Sequence, residues 1–268
     1  GVHPEKVLDQ ISATLTVELI LFSLMAVALT YLLAVNLSRP FRDIISVLHK
    51  IKNGRYDRRV RVVTNDEIGY TGDAINDMAA GLQEREQMRR SLSLAREVQQ
   101  SLLPKTAPAV PNLDIAGKSL YCDETGGDFF DYILLKHADK QLLGAVIGDV
   151  SGHGVSAALL MTSILSLLRA RTILPGDPGE IVHHLNRQIT RDTEETGQFV
   201  TLFYLEIQPE SRALAWVRAG HDPAYLYRSA TDTLETLGGG GSALGIQAQS
   251  NYSAVSGQAQ PGDIIIMT

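Results

Sequence analysis

The chain has 268 residues, 24 Lys+Arg against 30 Asp+Glu, a net charge of −6, and is 44% hydrophobic and 20% charged. That composition excludes a disordered or collagen-like chain. The single cysteine, Cys122, excludes a disulfide framework and a multi-cysteine zinc site. The acidic total argues against a nucleic-acid binder, and the length suits about two domains.

The charges are unevenly spread. Residues 1–100 hold 13 Lys+Arg and 12 Asp+Glu, whereas residues 101–268 hold 11 and 18. From Leu19 to Ser38 there are 20 residues without a charge, enough at 1.5 Å per residue to cross a bilayer core. A signal peptide would need a basic flank before the apolar run, and only Lys6 lies upstream. A core helix of this length would seldom lack charges. Residues 17–37 are therefore expected to span a membrane, with 1–16 as an extracytoplasmic flank. After the span come Arg39, Arg42, Lys50, Lys52, Arg55, Arg58, Arg59 and Arg61. The positive-inside rule puts that side, and all that follows, in the cytoplasm, with a single plasma-membrane span expected in this fragment.

Pro40 stands at a helix start, where its missing N–H costs nothing. Ile44, Val47 and Ile51 recur at helical steps, and Asn53-Gly54 ends that helix. Arg58–Val63 is extended in character. Asp66-Glu67 opens a second helix whose apolar positions are Ile68, Ile75, Met78 and Leu82. Pro40, Gly54 and Asp66-Glu67-Ile68-Gly69, directly after a membrane span, resemble a HAMP domain over residues 38–89. The resemblance implies a parallel four-helix bundle formed by a homodimer that relays membrane signals.

Gln83–Leu103 contains no Gly or Pro, and Pro104, Pro108 and Pro111 then end the helix. Residues 90–111 are thus a signalling helix and linker. The output domain, residues 112–268, shows strand-like runs at Leu113–Tyr121, Phe129–Leu135, Leu142–Gly148, Phe199–Ile207, Leu214–Arg218 and Ala224–Tyr227. Helices are expected at Val155–Arg171 and from Pro178 through Ile189. Strands, then helices, then strands indicate an α+β fold.

Two acidic motifs carry the chemistry. Gly126-Gly127-Asp128-Phe129-Phe130-Asp131 places Asp128 at the beginning of a strand, and Gly148-Asp149-Val150-Ser151-Gly152-His153-Gly154 places Asp149 at the end of another. Carboxylates at strand ends, beside backbone that can approach closely, suit oxygen-ligated Mg²⁺ or Mn²⁺. Two such ions could activate a water and clamp a phosphate oxygen. Gly-rich turns that open helices also cradle phosphate through backbone N–H groups. Gly152 and Gly154 occupy such a turn.

Together with Ala95–Pro104, Ala219-Gly220-His221 and Gly262-Asp263-Ile264-Ile265, these motifs resemble the PPM (protein phosphatase 2C-like) superfamily, in its bacterial sporulation stage II E and sigma-factor-regulator branch. The resemblance implies an αββα sandwich and a metal-dependent protein serine/threonine phosphatase. It implies Asp128 and Asp149 as catalytic metal ligands, the Val150 backbone carbonyl completing one shell, two Mn²⁺ or Mg²⁺ ions, and direct attack of water on phosphorus. It further implies a phosphorylated anti-anti-sigma (STAS) protein as substrate, with no nucleic-acid partner. No general-acid role carries over to His153. His221 is read as structural, and His183 and His184 as helix-surface residues.

A further metal aspartate of that family, in a Thr-Asp-Gly motif, would follow the strand at Ile264–Thr268. The sandwich is therefore expected to be an incomplete fragment that alone binds metal poorly and has little activity. A histidine kinase is disfavoured by the absence of a dimerisation-box histidine after residue 90. A diguanylate cyclase would continue Gly-Gly-Asp with Glu-Phe, not Phe129-Phe130. A catalytically inactive phosphatase-fold binding module is the alternative that the missing motif leaves open.

Overall fold

The computed structural model describes residues 4–62, 65–119, 126–137 and 140–268. They form two compact units, residues 1–89 and 90–268. The ends of the runs expected at Arg58–Val63 and Leu113–Tyr121, and Cys122, lie outside the described residues.

In the first unit, helix α1 (Pro4–Leu33) runs through a π-helical turn, Ala34–Ser38, into α2 (Arg39–Lys52). The stretch from Ile11 is long and apolar enough to cross a membrane, and its apolar window is wholly unburied. Pro40 thus lies inside a continuous helix and does not open a new one. Its ring cannot tolerate the carbonyl four residues back, and the widened turn absorbs the conflict, with the Arg39 N–H bonded five residues back to the Ala34 carbonyl. Helix α2 ends where Gly54 takes φ +78°, a left-handed conformation suited to glycine.

Ile44, Val47 and Ile51 of α2 are buried with Val60, Ile75 and Ala79, and Tyr56, Ile68 and Leu82 pack against them. Asp66 caps helix α3 (Glu67–Leu102) by accepting from the Ile68 and Gly69 N–H groups at 3.1 and 3.0 Å. The Asn76 side chain grips Val60 twice: the Val60 N–H donates to Oδ1 at 2.7 Å, and Nδ2 donates to the Val60 carbonyl at 3.0 Å. Those bonds hold the extended connector against α3.

The second unit holds the last turns of α3 and a sandwich. Strands β1 (Phe129–His137), β2 (Lys140–Val150), β3 (Val200–Ile207), β4 (Ala213–Ala219) and β7 (Val255–Gln258) make an antiparallel sheet in the order β1-β2-β3-β4-β7. Strands β5 (Ala224–Arg228), β6 (Thr233–Leu237) and β8 (Ile264–Ile266) make a second, ordered β6-β5-β8. Helices α4 (Val155–Arg171) and α5 (Pro178–Asp192) lie between β2 and β3 in sequence and cover the outer face of the larger sheet.

Strand β3 shows why the layers form. Leu202 and Tyr204 face the helices, together with Met161, Ile164, Leu168 and Leu185. Phe203 and Leu205 face the second sheet, together with Trp216, Leu226 and Leu237. Period-two alternation with both sets apolar makes this a strand buried on both faces. Asn186, also fully buried, is satisfied by the loop that follows β6. Its Nδ2 donates to the Gln247 carbonyl at 2.7 Å, and its Oδ1 accepts from the Gly245 N–H at 3.0 Å.

The expected strand at Leu113–Tyr121 does not form within residues 113–119, where only Leu113 makes a β-bridge, to Val110. Strands β6 and β7 were not foreseen. Among the described residues the sandwich shows one helical layer and two sheets.

Candidate metal centre

The register of β1 against β2 assembles the site. Phe129 pairs with Gly148 at the end of the ladder. One rung further, Asp128 stands across from Asp149, and Gly127 across from Val150. The strands approach so closely there that a Cβ on Gly127 would lie 2.6 Å from the Val150 carbonyl oxygen and 3.0 Å from its Cβ. Gly148 is equally constrained, because a Cβ on it would lie 2.5 Å from the Phe129 ring. The glycines that flank the acidic residues therefore allow the two carboxylates to meet.

Asp128 and Asp149 stand at adjacent strand ends, near enough for each to act on the other's charge. Partial desolvation first, then the neighbouring Asp128 and its negative charge, push the Asp149 carboxyl up to about 6. The pair gathers negative charge that a cation would neutralise, and hard oxygen donors suit a divalent ion. Among the described residues no group of three or more His, Cys, Asp or Glu side chains is arranged to hold a metal ion, so Asp128 and Asp149 stand as a pair.

Past Val150 the chain turns sharply. Gly152 and Gly154 take φ +91° and +77°, and Gly154 is the N-cap of α4. The turn is tied to the start of β3: the Ser151 N–H donates to the Phe199 carbonyl at 2.8 Å, and the Phe199 N–H donates to Ser151 Oγ at 2.8 Å. Gly154 supplies no side-chain cap, so the first-turn N–H groups of α4 stay open at the positive end of the helix. His153 is exposed in this turn.

The second acidic residue of the first motif is turned away. Asp131 lies on the same strand face as Phe129, is 4% exposed, and accepts from Arg169 Nε of α4 at 2.7 Å. Arg169 Nη2 donates at 2.7 Å to the Leu102 carbonyl at the end of α3. Gln99, one turn earlier on α3, is also buried and donates from Nε2 to the Gly126 carbonyl at 2.5 Å. Neither contact was foreseen.

His221 sits beside the pair. Its Nδ1 is 2.7 Å from Thr201 Oγ1, and Thr201 pairs with Asp149 across β2 and β3. Its Nε2 is 3.2 Å from the Thr268 carbonyl. Burial holds the imidazole below its ordinary value, against the opposing pull of the Thr268 carbonyl and of Asp222 and Asp128. His183 and His184 stand apart on α5, where Nδ1 of His183 meets the Ser250 carbonyl at 3.1 Å and Nδ1 of His184 accepts from Arg171 Nε at 3.1 Å.

Two family models match parts of the chain. Residues 139–268 match the family model of Stage II sporulation protein E (SpoIIE), and residues 32–84 match the HAMP domain. The chain is 26% identical over 183 residues to "Phosphoserine phosphatase RsbU" of Bacillus subtilis, covering 68% of this chain and 53% of that protein. It is 33% identical over 141 residues to "Phosphoserine phosphatase RsbP" of the same organism, covering 51% and 34%. The chain thus spans about half or less of the length of these curated relatives. Among solved structures, the SiaA-PP2C domain of Pseudomonas aeruginosa shares its fold, with a TM-score of 0.51, 21% identity, and coverage of 68% of this chain and 71% of that one. The chain thus carries a region that matches the HAMP domain and, after it, a region that matches the SpoIIE family model and shares the fold of a PP2C domain.

Proposed function

We propose that the protein is a membrane-anchored, metal-dependent phosphatase acting on phosphoserine or phosphothreonine in a protein substrate. The observation that carries this reading is the Asp128–Asp149 pair, two carboxylates gathered at adjacent strand ends whose joint negative charge suits a cation. Two similar proteins named phosphoserine phosphatases support the reaction class. In this reading residues 17–37 are the membrane span, 38–89 the HAMP domain, 90–111 the signalling helix and linker, and 112–268 the phosphatase domain on the cytoplasmic side.

Asp128 and Asp149 would hold Mn²⁺ or Mg²⁺, with the Val150 carbonyl as a backbone donor at the same strand end. When bound, such ions polarise phosphoryl oxygens and acidify water near neutral pH. The chain's own residues do the positioning. Gly127 and Gly148 bring the strands together, and the β2–β3 ladder fixes Asp149 opposite Thr201. The Gly152–Gly154 turn leaves the α4 N–H groups five residues from Asp149, free to receive a phosphate's negative charge. HAMP pairing of two copies, and a STAS-domain phosphoprotein as substrate, complete the proposal on the strength of the family resemblance.

The test is Mn²⁺-dependent hydrolysis of p-nitrophenyl phosphate by the protein expressed from its own gene in nanodiscs, beside Asp149→Asn. Turnover that needs Mn²⁺ and disappears in the variant is expected. If both proteins are inert and neither binds Mn²⁺, the domain is a binding module and the phosphatase reading fails.

A further inference from the structure

We infer that Gln99, on the last turns of α3, is a positioning residue for the carboxylate pair, acting through the Gly126 carbonyl. The inference rests on the metal reading above and extends it to a residue outside both acidic motifs.

Gln99 is 4% exposed, and its Nε2 donates to the carbonyl of Gly126, two residues before Asp128. No other hydrogen bond to that carbonyl is made among the described residues. The other polar atom of the side chain, Oε1, is buried without a partner. A residue there for packing alone would be apolar, as Leu103 is one turn later, in the cluster that holds Phe129 and Val150. A buried amide with one atom orphaned is unfavourable unless the remaining bond does something that packing cannot. That bond fixes the backbone where the chain enters the Gly-Gly-Asp motif.

The surroundings make the grip specific. Gly127 leaves no room for even a Cβ beside the Val150 carbonyl, so the segment has room to shift only away from β2. Gln99 pulls on the neighbouring carbonyl, and the Arg169 bridge between Leu102 and Asp131 clamps the same helix end to the same strand three residues beyond Asp128. The helix therefore holds β1 on both sides of the ligand. Partners outside the ligand shell typically change metal affinity by about 10–100-fold when removed.

The experiment compares the full chain in nanodiscs with Gln99→Leu and Gln99→Met, two variants that keep the volume and lose the donor, and with Asp149→Asn. Mn²⁺ affinity is read by electron paramagnetic resonance, folding by thermal unfolding, and strand order by amide hydrogen exchange at residues 128–131 in EDTA. Weakening of Mn²⁺ binding by about tenfold is expected in both Gln99 variants, with faster exchange at 128–131 and cooperative unfolding preserved. Mn²⁺ affinity within twofold of wild type in either folded variant overturns the inference. If wild type binds Mn²⁺ no better than Asp149→Asn, the metal reading fails. Exchange then decides the positioning claim separately: unchanged exchange in Gln99→Leu overturns it, and faster exchange upholds the grip on β1.

Discussion

Gly127→Ala isolates the close approach of the two strands. The glycine has no left-handed φ, so the substitution carries no backbone penalty of that kind. What it adds is a methyl 2.6 Å from the Val150 carbonyl oxygen and 3.1 Å from the Val150 nitrogen. A carbon seldom sits closer than about 3.3 Å to a carbonyl oxygen, so the Asp128 segment must retreat by about 0.7 Å. Val150 cannot retreat in its place, since it is 1% exposed and paired to Val200 in the ladder. Overpacking of this kind costs about 1–3 kcal/mol. At about 2–4 °C per kcal/mol for a domain of this size, the melting temperature should fall by roughly 2–12 °C. Displacement of a ligand by most of an ångström should weaken Mn²⁺ binding by about 10–100-fold. Calorimetric Mn²⁺ titration and circular dichroism on the same preparation measure both. A folded Gly127→Ala protein that binds Mn²⁺ within twofold of wild type would refute the claim that strand contact sets the site.

Without metal, the ionised Asp149 opposes folding, because its folded-state pKa of about 6 lies above the usual carboxylate value. Stability should therefore fall as pH rises from about 4 to 6. In EDTA at pH 7.5, Asp149→Asn should melt above wild type, the difference vanishing below about pH 4, and equal melting at both pH values would count against the charge repulsion. Arg169→Leu leaves Asp131, 4% exposed, without its cation. Because the arginine itself is partly exposed, about 1–3 kcal/mol of destabilisation is expected in urea unfolding. An Arg169→Leu/Asp131→Leu double variant should recover much of that loss, and no recovery would mean that the arginine acts by packing alone.

Helix α4 was legible from end to end, because an apolar run between Gly154 and the Thr172–Pro175 stretch permits little else. Strands β1 to β5 were legible as apolar runs, and Asp128 and Asp149 as carboxylates flanked by glycine. Strands β6 and β7 were not, since Thr233–Leu237 and Val255–Gln258 are mostly exposed strands with little apolar alternation. Leu113–Tyr121 misled in the opposite sense, because its apolar spacing reads as a strand while residues 113–119 find no ladder partner beyond the bridge at Leu113. Within the first motif, Asp128 and Asp131 look equivalent in sequence. What separates them is strand phase and an arginine 38 positions away on α4, and both are properties of the folded chain. Gln99 was hidden for the same reason, as one polar residue on a helix whose inward face only the docked structure defines.

The π turn at Ala34–Ser38 sets the azimuth of α2 relative to α1. One extra residue in a turn amounts to about 100° of helical phase, so a heptad counted down the apolar helix cannot be carried through into α2. The stripe of Ile44, Val47 and Ile51 points where the turn aims it. Adding or removing one residue there would swing that stripe by nearly a third of a circle while leaving the composition of both helices almost untouched.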